Sequence, residues 1–249
     1  MAGTALIFSD VHLRDASSVK TKLVLRFLQE KASQFQKLYI LGDLFDVWPG
    51  TNAYLVRTFR PVLEALRCLV RDGHEVHYLE GNHDFRLGQF FKDSLGVRVY
   101  DREIIEEWHG KKIYMQHGDL GNPKEVGYRA LRYVLRHDLV QWVATKVVPS
   151  EWVYRLGQNS SQLSRDYQKR HISEDDRIRA IYRATAEQLF AKGFDYVLMG
   201  HTHLPDDFKV QIGSRTCRYL NTGDWVRNFT YLEFDGKEFH SRTHPVKGV

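Results

Sequence analysis

Five short motifs in this chain carry aspartate, asparagine and histidine side chains, the first being Asp10-Val11-His12 and the last Gly200-His201-Thr202-His203. Carboxylate, amide and imidazole ligands together suit divalent ions such as Mn²⁺, Zn²⁺ or Fe. Two such ions ~3.5–4 Å apart can act on both the attacking and the leaving oxygen of a phosphoryl transfer. One carboxylate must then bridge the ions, and Asp43 is the natural candidate. The predicted ligands are Asp10, His12, Asp43, Asn82, His117, His201 and His203.

Each motif directly follows a run of apolar and β-branched residues, which is the pattern of a buried strand in an α/β sheet. Stretches 19–36 and 54–71 lie between the first three runs and have the periodicity of amphipathic helices, so the chain begins β-α-β-α-β. Any one motif is weak, but five in order at strand ends are typical of a site in an open α/β sheet. The predicted strands cover residues 5–8, 38–41, 76–79, 113–115 and 196–199.

The chain from about 124 to 190 has a helical pattern and interrupts the β/α rhythm. Residues 124–183 carry twelve basic and seven acidic residues, which accounts for the whole net charge of +5. The same stretch contains Trp142 and Val143, so basic and aromatic residues lie together beside the predicted metal site. This favours a lid for an amphipathic, anionic ligand, and the alternative is a packed helical subdomain with a solvated basic face. We therefore predict a core of residues 1–123 and 191–249 with a helical lid insertion at 124–190.

The order and residues of the five motifs resemble the calcineurin-like metallophosphoesterase superfamily. The resemblance implies an α/β fold in which a β-sandwich is flanked by helices (αββα). It also implies how the ligands divide between two metals. Asp10, His12 and His203 would bind one ion, Asn82, His117 and His201 the other, and Asp43 would bridge them.

The motif Gly81-Asn82-His83-Asp84 carries the remaining catalytic residues that the resemblance implies. His83 would contact the phosphate without binding metal, either stabilising charge or protonating the leaving group. Asp84 would orient His83 by accepting its other ring proton, and the alternative for Asp84 is a helix N-cap.

Within the superfamily the chain is most similar to the UDP-2,3-diacylglucosamine pyrophosphatases of lipid A synthesis. That similarity implies cleavage of a nucleotide-linked glycolipid, UDP-2,3-diacylglucosamine, to lipid X and UMP with two divalent ions, preferably Mn²⁺. It also implies substrate-binding roles for Tyr128, Lys169 and Arg170. The residues that carry the similarity are Leu38–Phe45 with Trp48, Asp84-Phe85, Gly127-Tyr128-Arg129 and Gly223-Asp224-Trp225.

One residue departs from this family, which commonly has arginine where this chain has His83. The alternative is therefore a metallophosphoesterase that acts on a soluble nucleotide or another phosphodiester. A nuclease would also use basic residues interleaved with aromatics, but the chain outside the insertion is neutral. We therefore expect no nucleic-acid partner.

Few features of the sequence bear on its location. The first motif begins at Asp10, which leaves no room for a cleavable signal peptide, and no apolar run approaches the ~20 residues of a membrane span. The two cysteines, Cys68 and Cys217, are far apart, which fits a reducing compartment. We expect a cytoplasmic protein whose basic insertion makes peripheral contact with the inner membrane.

Overall fold

The computed structural model describes residues 3–121, 137, 151 and 175–246. The strands within these ranges are β1 (Ala5–Phe8), β2 (Lys37–Ile40), β3 (Glu75–Leu79), β4 (Arg98–Tyr100), β5 (Glu103–Trp108), β6 (Lys111–Gln116), β7 (Tyr196–Met199), β8 (Asp206–Ile212), β9 (Arg215–Asn221), β10 (Thr230–Phe234) and β11 (Phe239–Thr243). The helices are α1 (Val19–Glu30), α2 (Ala53–Thr58), α3 (Arg60–Arg71), α4 (Gly88–Leu95) and α5 (Asp175–Ala191), with a 3₁₀ turn at Ala32–Gln34.

The strands form two sheets. The first sheet has the order β11-β10-β1-β2-β3-β4, and the second has the order β5-β6-β7-β9-β8. Strands β1 to β4 are parallel, as are β6, β7 and β9, whereas the remaining neighbours pair antiparallel. Each sheet therefore has a parallel centre, and the five predicted metal motifs all follow strands of these two centres.

Three apolar clusters show how the layers pack. One joins the outer face of the first sheet to α1, α3 and α4, and includes Phe8, Phe27 and Leu66. A second lies between the sheets. The third joins the second sheet to α5 through residues such as Phe190. The order is helices, sheet, sheet, helix, which confirms the predicted αββα sandwich.

The predicted strands are confirmed within a residue or two, and the predicted helices need one change. Stretch 54–71 is two helices, α2 and α3, because Pro61 lies at the start of α3. Proline has no N–H to donate to the carbonyl four residues before it, and its ring clashes with that carbonyl. Helix α2 therefore cannot continue through Pro61, and it ends at Thr58. Helix α1 begins after Ser18, whose hydroxyl accepts from the Thr21 backbone N–H.

Helix α5 covers the second sheet and forms hydrogen bonds to the start of β8 and to the loop after β6. Its Arg183 forms two hydrogen bonds to Asp206, at 2.9 and 2.7 Å. Its Tyr182 donates its hydroxyl proton to the Gly118 carbonyl at 2.9 Å. Residues 175–190 of the predicted insertion thus pack as the outer helical layer. Apart from residues 137 and 151, residues 124–174 lie outside the described ranges. The boundaries of the lid stay a prediction.

Among the residues described here, no helix combines the length and apolarity needed to cross a bilayer.

Candidate metal centre

Three predicted ligands converge in a first cluster, from the loops after β1 and β7. His12 Nε2 lies 3.3 Å from His203 Nε2. Asp10 Oδ1 lies 3.5 Å from His203 Nε2 and 4.0 Å from His12 Nε2. One oxygen and two ring nitrogens therefore face a common point, as the donors of a single ion would. Because β1 and β7 belong to different sheets, this cluster spans the sandwich.

Three more predicted ligands, Asn82, His117 and His201, form a second cluster. They come from the loops after β3, β6 and β7. Asn82 Oδ1 lies 2.9 Å from His117 Nε2 and 3.0 Å from His201 Nδ1. This cluster also takes residues from both sheets, since β3 is in the first sheet and β6 and β7 are in the second.

Asp43 lies between the two clusters. Its Oδ2 is 3.8 Å from His12 Nε2 and 3.4 Å from His117 Nε2. Its other oxygen, Oδ1, accepts a hydrogen bond from the backbone N–H of His83 at 2.9 Å. The carboxylate is 1% exposed and so faces donors rather than water. The structure thus brings all seven predicted ligand side chains together, with Asp43 between the two clusters.

The backbone of the cluster residues is unusual. Five of the seven predicted ligands have left-handed φ angles, a conformation uncommon for residues other than glycine. Such residues cluster at functional sites, where surrounding contacts hold them in place. The φ values are 55° for Asp10, 53° for His12, 56° for Asp43, 68° for His201 and 59° for His203.

Gly42, which precedes Asp43, is required by space as well as by conformation. Its φ is +86°, and a Cβ at this position would lie 2.6 Å from His117 Nδ1 and 2.7 Å from Gly81 Cα. The loops after β2, β3 and β6 approach one another too closely for any side chain here. This contact explains why the second motif begins with glycine.

Three of the histidines have an oxygen facing the ring nitrogen that points away from the cluster. His117 Nδ1 lies 2.7 Å from the Leu41 carbonyl oxygen. His203 Nδ1 lies 3.3 Å from Asp224 Oδ2, and His12 Nδ1 lies 3.5 Å from Asp46 Oδ1. An oxygen at Nδ1 favours the tautomer that carries its proton there, which leaves the Nε2 lone pair for a metal.

The charges and orphaned atoms of the site fit a divalent cation. Asp10 Oδ1 is buried and has no hydrogen-bond partner, and burial raises the pKa of this carboxyl. Burial also lowers the pKa of His12 to about 4 and, with His117 nearby, that of His201 to about 3. Both rings are therefore neutral, as metal ligands must be. Despite burial, Asp43 raises the pKa of His117 to about 10 and Asp10 raises the pKa of His203, so a metal would have to displace protons from these two rings. A cation would compensate the buried Asp10 and Asp43 carboxylates without requiring protonation.

His83 lies beside the first cluster. Its ring Nδ1 is 2.9 Å from the Asp46 carbonyl oxygen, and its ring centroid is 4.7 Å from that of His12. The side chain is half-buried. When Nδ1 donates its proton to Asp46, the opposite nitrogen, Nε2, is available to a substrate.

The prediction that Asp84 accepts a ring proton from His83 is wrong. Asp84 Oδ1 accepts from the backbone N–H groups of Asp43 and Gly81, and Oδ2 accepts from the Phe45 N–H and the Tyr78 hydroxyl. Nor does Asp84 cap a helix, since α4 begins at Gly88. Asp84 instead stabilises the loop that carries Asp43, because its Oδ1 lies 2.8 Å from the Asp43 backbone nitrogen.

Two further carboxylates belong to the site, and the sequence assigned neither of them clearly. Asp46 lies against His12 and accepts from Arg14 Nε at 3.0 Å. Asp224 was noted only as part of a family resemblance, yet it faces His203. The local sequence gives no signal for Asp224, because it lies 21 positions after the histidine that it contacts.

The three predicted substrate-binding residues, Tyr128, Lys169 and Arg170, lie outside the described residues, as do Trp142 and Val143.

Comparisons with known proteins give the family of the chain. Residues 3–205 match the family model described as calcineurin-like phosphoesterase. The UDP-2,3-diacylglucosamine hydrolase of Azotobacter vinelandii is 31% identical over 98% of this chain and 99% of that protein. The protein of the same name from Stenotrophomonas maltophilia is 29% identical over 93% and 95%. A solved metallophosphoesterase from Sphaerobacter thermophilus is 16% identical over 97% of this chain and 89% of that protein, with a TM-score of 0.43.

Proposed function

The chain belongs to the calcineurin-like phosphoesterase family, and on that premise we propose that it hydrolyses the pyrophosphate of UDP-2,3-diacylglucosamine to lipid X and UMP. Two observations support this. Relatives that carry the name of this activity align with nearly the full length of the chain. In the structure, two donor clusters share the single carboxylate of Asp43, which is the arrangement that a two-metal hydrolase needs.

We propose Mn²⁺ as the ion, on the chemistry of a mixed carboxylate, amide and imidazole donor set. Asp10, His12 and His203 would hold one ion and the second cluster the other. When bound, two divalent cations stabilise the charge of a phosphoryl group and activate water for attack. The protein's part is to fix seven donors from both sheets in one place before substrate arrives.

His83 is the proposed catalytic residue that binds no metal. Its ring is held by the Asp46 carbonyl and stands against His12, so its free nitrogen lies at the edge of the first cluster. As an imidazolium, with protons on both ring nitrogens, it would donate a hydrogen bond from Nε2 to a phosphate oxygen. It would give that Nε2 proton to the departing phosphate as the bond breaks, and would be left neutral with its Nδ1 proton still on the Asp46 carbonyl. His83 lies next to the donors, so metal analysis of a His83 variant is needed to separate this role from ligation.

The substrate's other parts would bind outside the described residues. We propose that insertion 124–190 supplies the lid, with α5 as the part that packs on the second sheet. We also propose that Tyr128, Lys169 and Arg170 contact the substrate and that the basic surface touches anionic headgroups. Each buried CH₂ of an acyl chain contributes ~0.8 kcal/mol, and each basic residue near such a surface about 1 kcal/mol. Peripheral contact with the cytoplasmic face of the inner membrane follows from this proposal.

A direct test compares acylated and deacylated substrates. UMP release with Mn²⁺ is measured for UDP-2,3-diacylglucosamine, for the same UDP-sugar without acyl chains, and for a cyclic dinucleotide and a simple phosphodiester. We expect kcat/KM to be highest for the acylated compound and Asp43→Asn to abolish all activities. Faster turnover of the soluble compounds, with no advantage from acyl chains, would contradict the proposal.

That opposite outcome would support the second candidate, a phosphodiesterase for a soluble nucleotide. One feature of the sequence favours it: this chain has His83 where the family that it resembles commonly has arginine. Arginine can bind phosphate with two parallel hydrogen bonds, whereas imidazole offers a single donor and a proton. His83→Arg therefore discriminates, because it should improve pyrophosphate turnover only if the lipid substrate is correct.

A further inference from the structure

The loop of residues 222–229, which joins β9 of the second sheet to β10 of the first, contacts two residues of the first cluster. The family model ends at residue 205, so this loop lies outside the segment that the model matches. We propose that the 222–229 loop is the positioning element of the first metal site, and that Asp224 sets which ring nitrogen of His203 carries the proton. This inference rests on the proposed metal-dependent function.

Asp224 divides its two oxygens between the loop and the histidine. Oδ1 accepts from the backbone N–H groups of Val226, Arg227 and Asn228, at 2.9, 2.7 and 2.9 Å. Oδ2 lies 3.3 Å from His203 Nδ1. With three N–H groups holding one oxygen, the carboxylate cannot rotate, so the other oxygen stays directed at the imidazole.

The same loop also holds the backbone of two predicted ligands. The Trp225 backbone N–H donates to the Asp10 carbonyl at 3.0 Å. The Asn228 side-chain amide donates to the His203 carbonyl at 3.1 Å. Both Asp10 and His203 have left-handed φ angles, and a conformation of this kind persists only where neighbouring contacts hold it. The loop supplies one such contact to each.

The loop is itself fixed on the core. Trp225 is fully buried, and its ring centroid lies 4.5 Å from that of Phe27 and 5.9 Å from that of Phe8. Its indole N–H donates to the Thr230 carbonyl at 3.1 Å. Asp224 is thus held between a packed tryptophan and three backbone donors, and it can act as a rigid reference for His203.

The chemical consequence concerns the tautomer of His203. A neutral imidazole has one N–H, and the nitrogen without it is the metal ligand. A carboxylate at Nδ1 can only accept, so it holds the proton there and leaves the Nε2 lone pair directed at Asp10 and His12. Removing this preference would move the proton to Nε2 and block ligation, with little change in shape.

Asp224→Asn makes that change. The amide oxygen can still accept from the three backbone N–H groups, which then turns the amide NH₂ towards His203 Nδ1 and reverses the tautomer. We expect Mn²⁺ titrated into metal-free protein to show one ion bound ~10–100-fold more weakly, the usual cost of losing such a partner, and the other unchanged. In the metal-free protein, at a pH high enough to keep the His203 ring neutral, the ¹⁵N shifts of Nδ1 and Nε2 should be interchanged relative to wild type.

Asp235→Asn is a matched control. Asp235 Oδ1 accepts from the backbone N–H groups of Lys237 and Glu238, at 2.8 and 2.9 Å, and Oδ2 lies 2.9 Å from His240 Nε2. The contacts are of the same kind as those of Asp224, but they lie in the exposed β10–β11 turn. This variant should bind both ions as wild type does.

The outcomes separate the inference from the proposed function. A wild type that binds no Mn²⁺ would refute the function itself. A wild type with two ions and an Asp224→Asn variant that binds both equally well would refute only the inference. The double variant gives a second test. If Asp224→Asn weakens Mn²⁺ binding as much in a His203→Ala background as it does in wild type, Asp224 does not act through His203, and the inference is refuted. Should Asp224→Asn fail to fold, Asn228→Ala removes only the donor to His203. This variant should lower the affinity for the same ion by roughly fivefold, which corresponds to the loss of one net hydrogen bond. Unchanged affinity would overturn the inference.

Discussion

His77 makes the stability of the first sheet depend on pH. This histidine is in the middle of β3, 1% exposed, and its ring stacks on Tyr39 with centroids 4.4 Å apart. Nδ1 lies 3.0 Å from the Tyr100 hydroxyl, whereas Nε2 is buried without a hydrogen bond. Protonating this ring would place a charge between the two sheets, a few residues before the loop that carries Asn82.

The sign and size of the effect follow from the pKa of His77. Burial lowers it to about 4, against about 6.5 in an unfolded chain. Between these values the unfolded state binds a proton and the folded state does not, so stability is full above pH ~6.5 and falls as the pH drops towards 4. At about 1.36 kcal/mol per pKa unit, the loss is about 2 kcal/mol between pH 7 and pH 4.5.

The measurement is urea unfolding of metal-free wild type and of His77→Phe at both pH values. Phenylalanine keeps the stack on Tyr39 and cannot be protonated, so the difference between the two proteins removes the contribution of every other group. On acidification, the free energy of unfolding of His77→Phe should fall by about 2 kcal/mol less than that of wild type. Parallel losses in the two proteins would show that His77 is protonated in the folded state and would refute the reasoning.

Three further predictions concern activity. Asp43→Ala should lower turnover by several orders of magnitude, because two cations would lose their shared carboxylate, and an active variant that holds two ions would contradict this. His83→Ala should retain both ions by metal analysis and lose ~10²–10⁴-fold in kcat, whereas loss of an ion would make His83 a ligand. A charged residue at Trp142 or Val143 should lower kcat/KM for the acylated UDP-sugar and leave the deacylated one unchanged. An equal decrease in kcat/KM for both substrates would refute the lipid-lid hypothesis.

Much of the fold could be predicted because its signals are local. Strands β1, β2, β3, β6 and β7 each consist of a short apolar run ended by a polar motif, and those runs are strands in the structure. The break between α2 and α3 was missed even though Pro61 marks it. The apolar periodicity continues across Phe59, which is buried on the same face as its neighbours, so the pattern alone suggested one helix.

The contacts of the site were harder to predict, because they depend on tertiary structure. Asp84 follows His83 in sequence, yet adjacent side chains in extended backbone point to opposite sides, and Asp84 pairs with Trp48 in an isolated β-bridge. The Asp84 carboxylate therefore faces the β2 loop rather than the neighbouring imidazole. Asp46 and Asp224 reach His12 and His203 only because the chain folds back, which no spacing rule describes.

Each donor cluster takes side chains from both sheets, and this affects how the protein resists unfolding. An ion held by Asp10 after β1 and His203 after β7 would cross-link the two halves of the sandwich, as would an ion between Asn82 and His117. A metal at 100 times its Kd adds about 2.7 kcal/mol to the folded state, and separating the sheets would require releasing both ions. Chelation should then loosen the whole sandwich along the plane between its sheets, and amide hydrogen exchange at β1 and β7 should rise together.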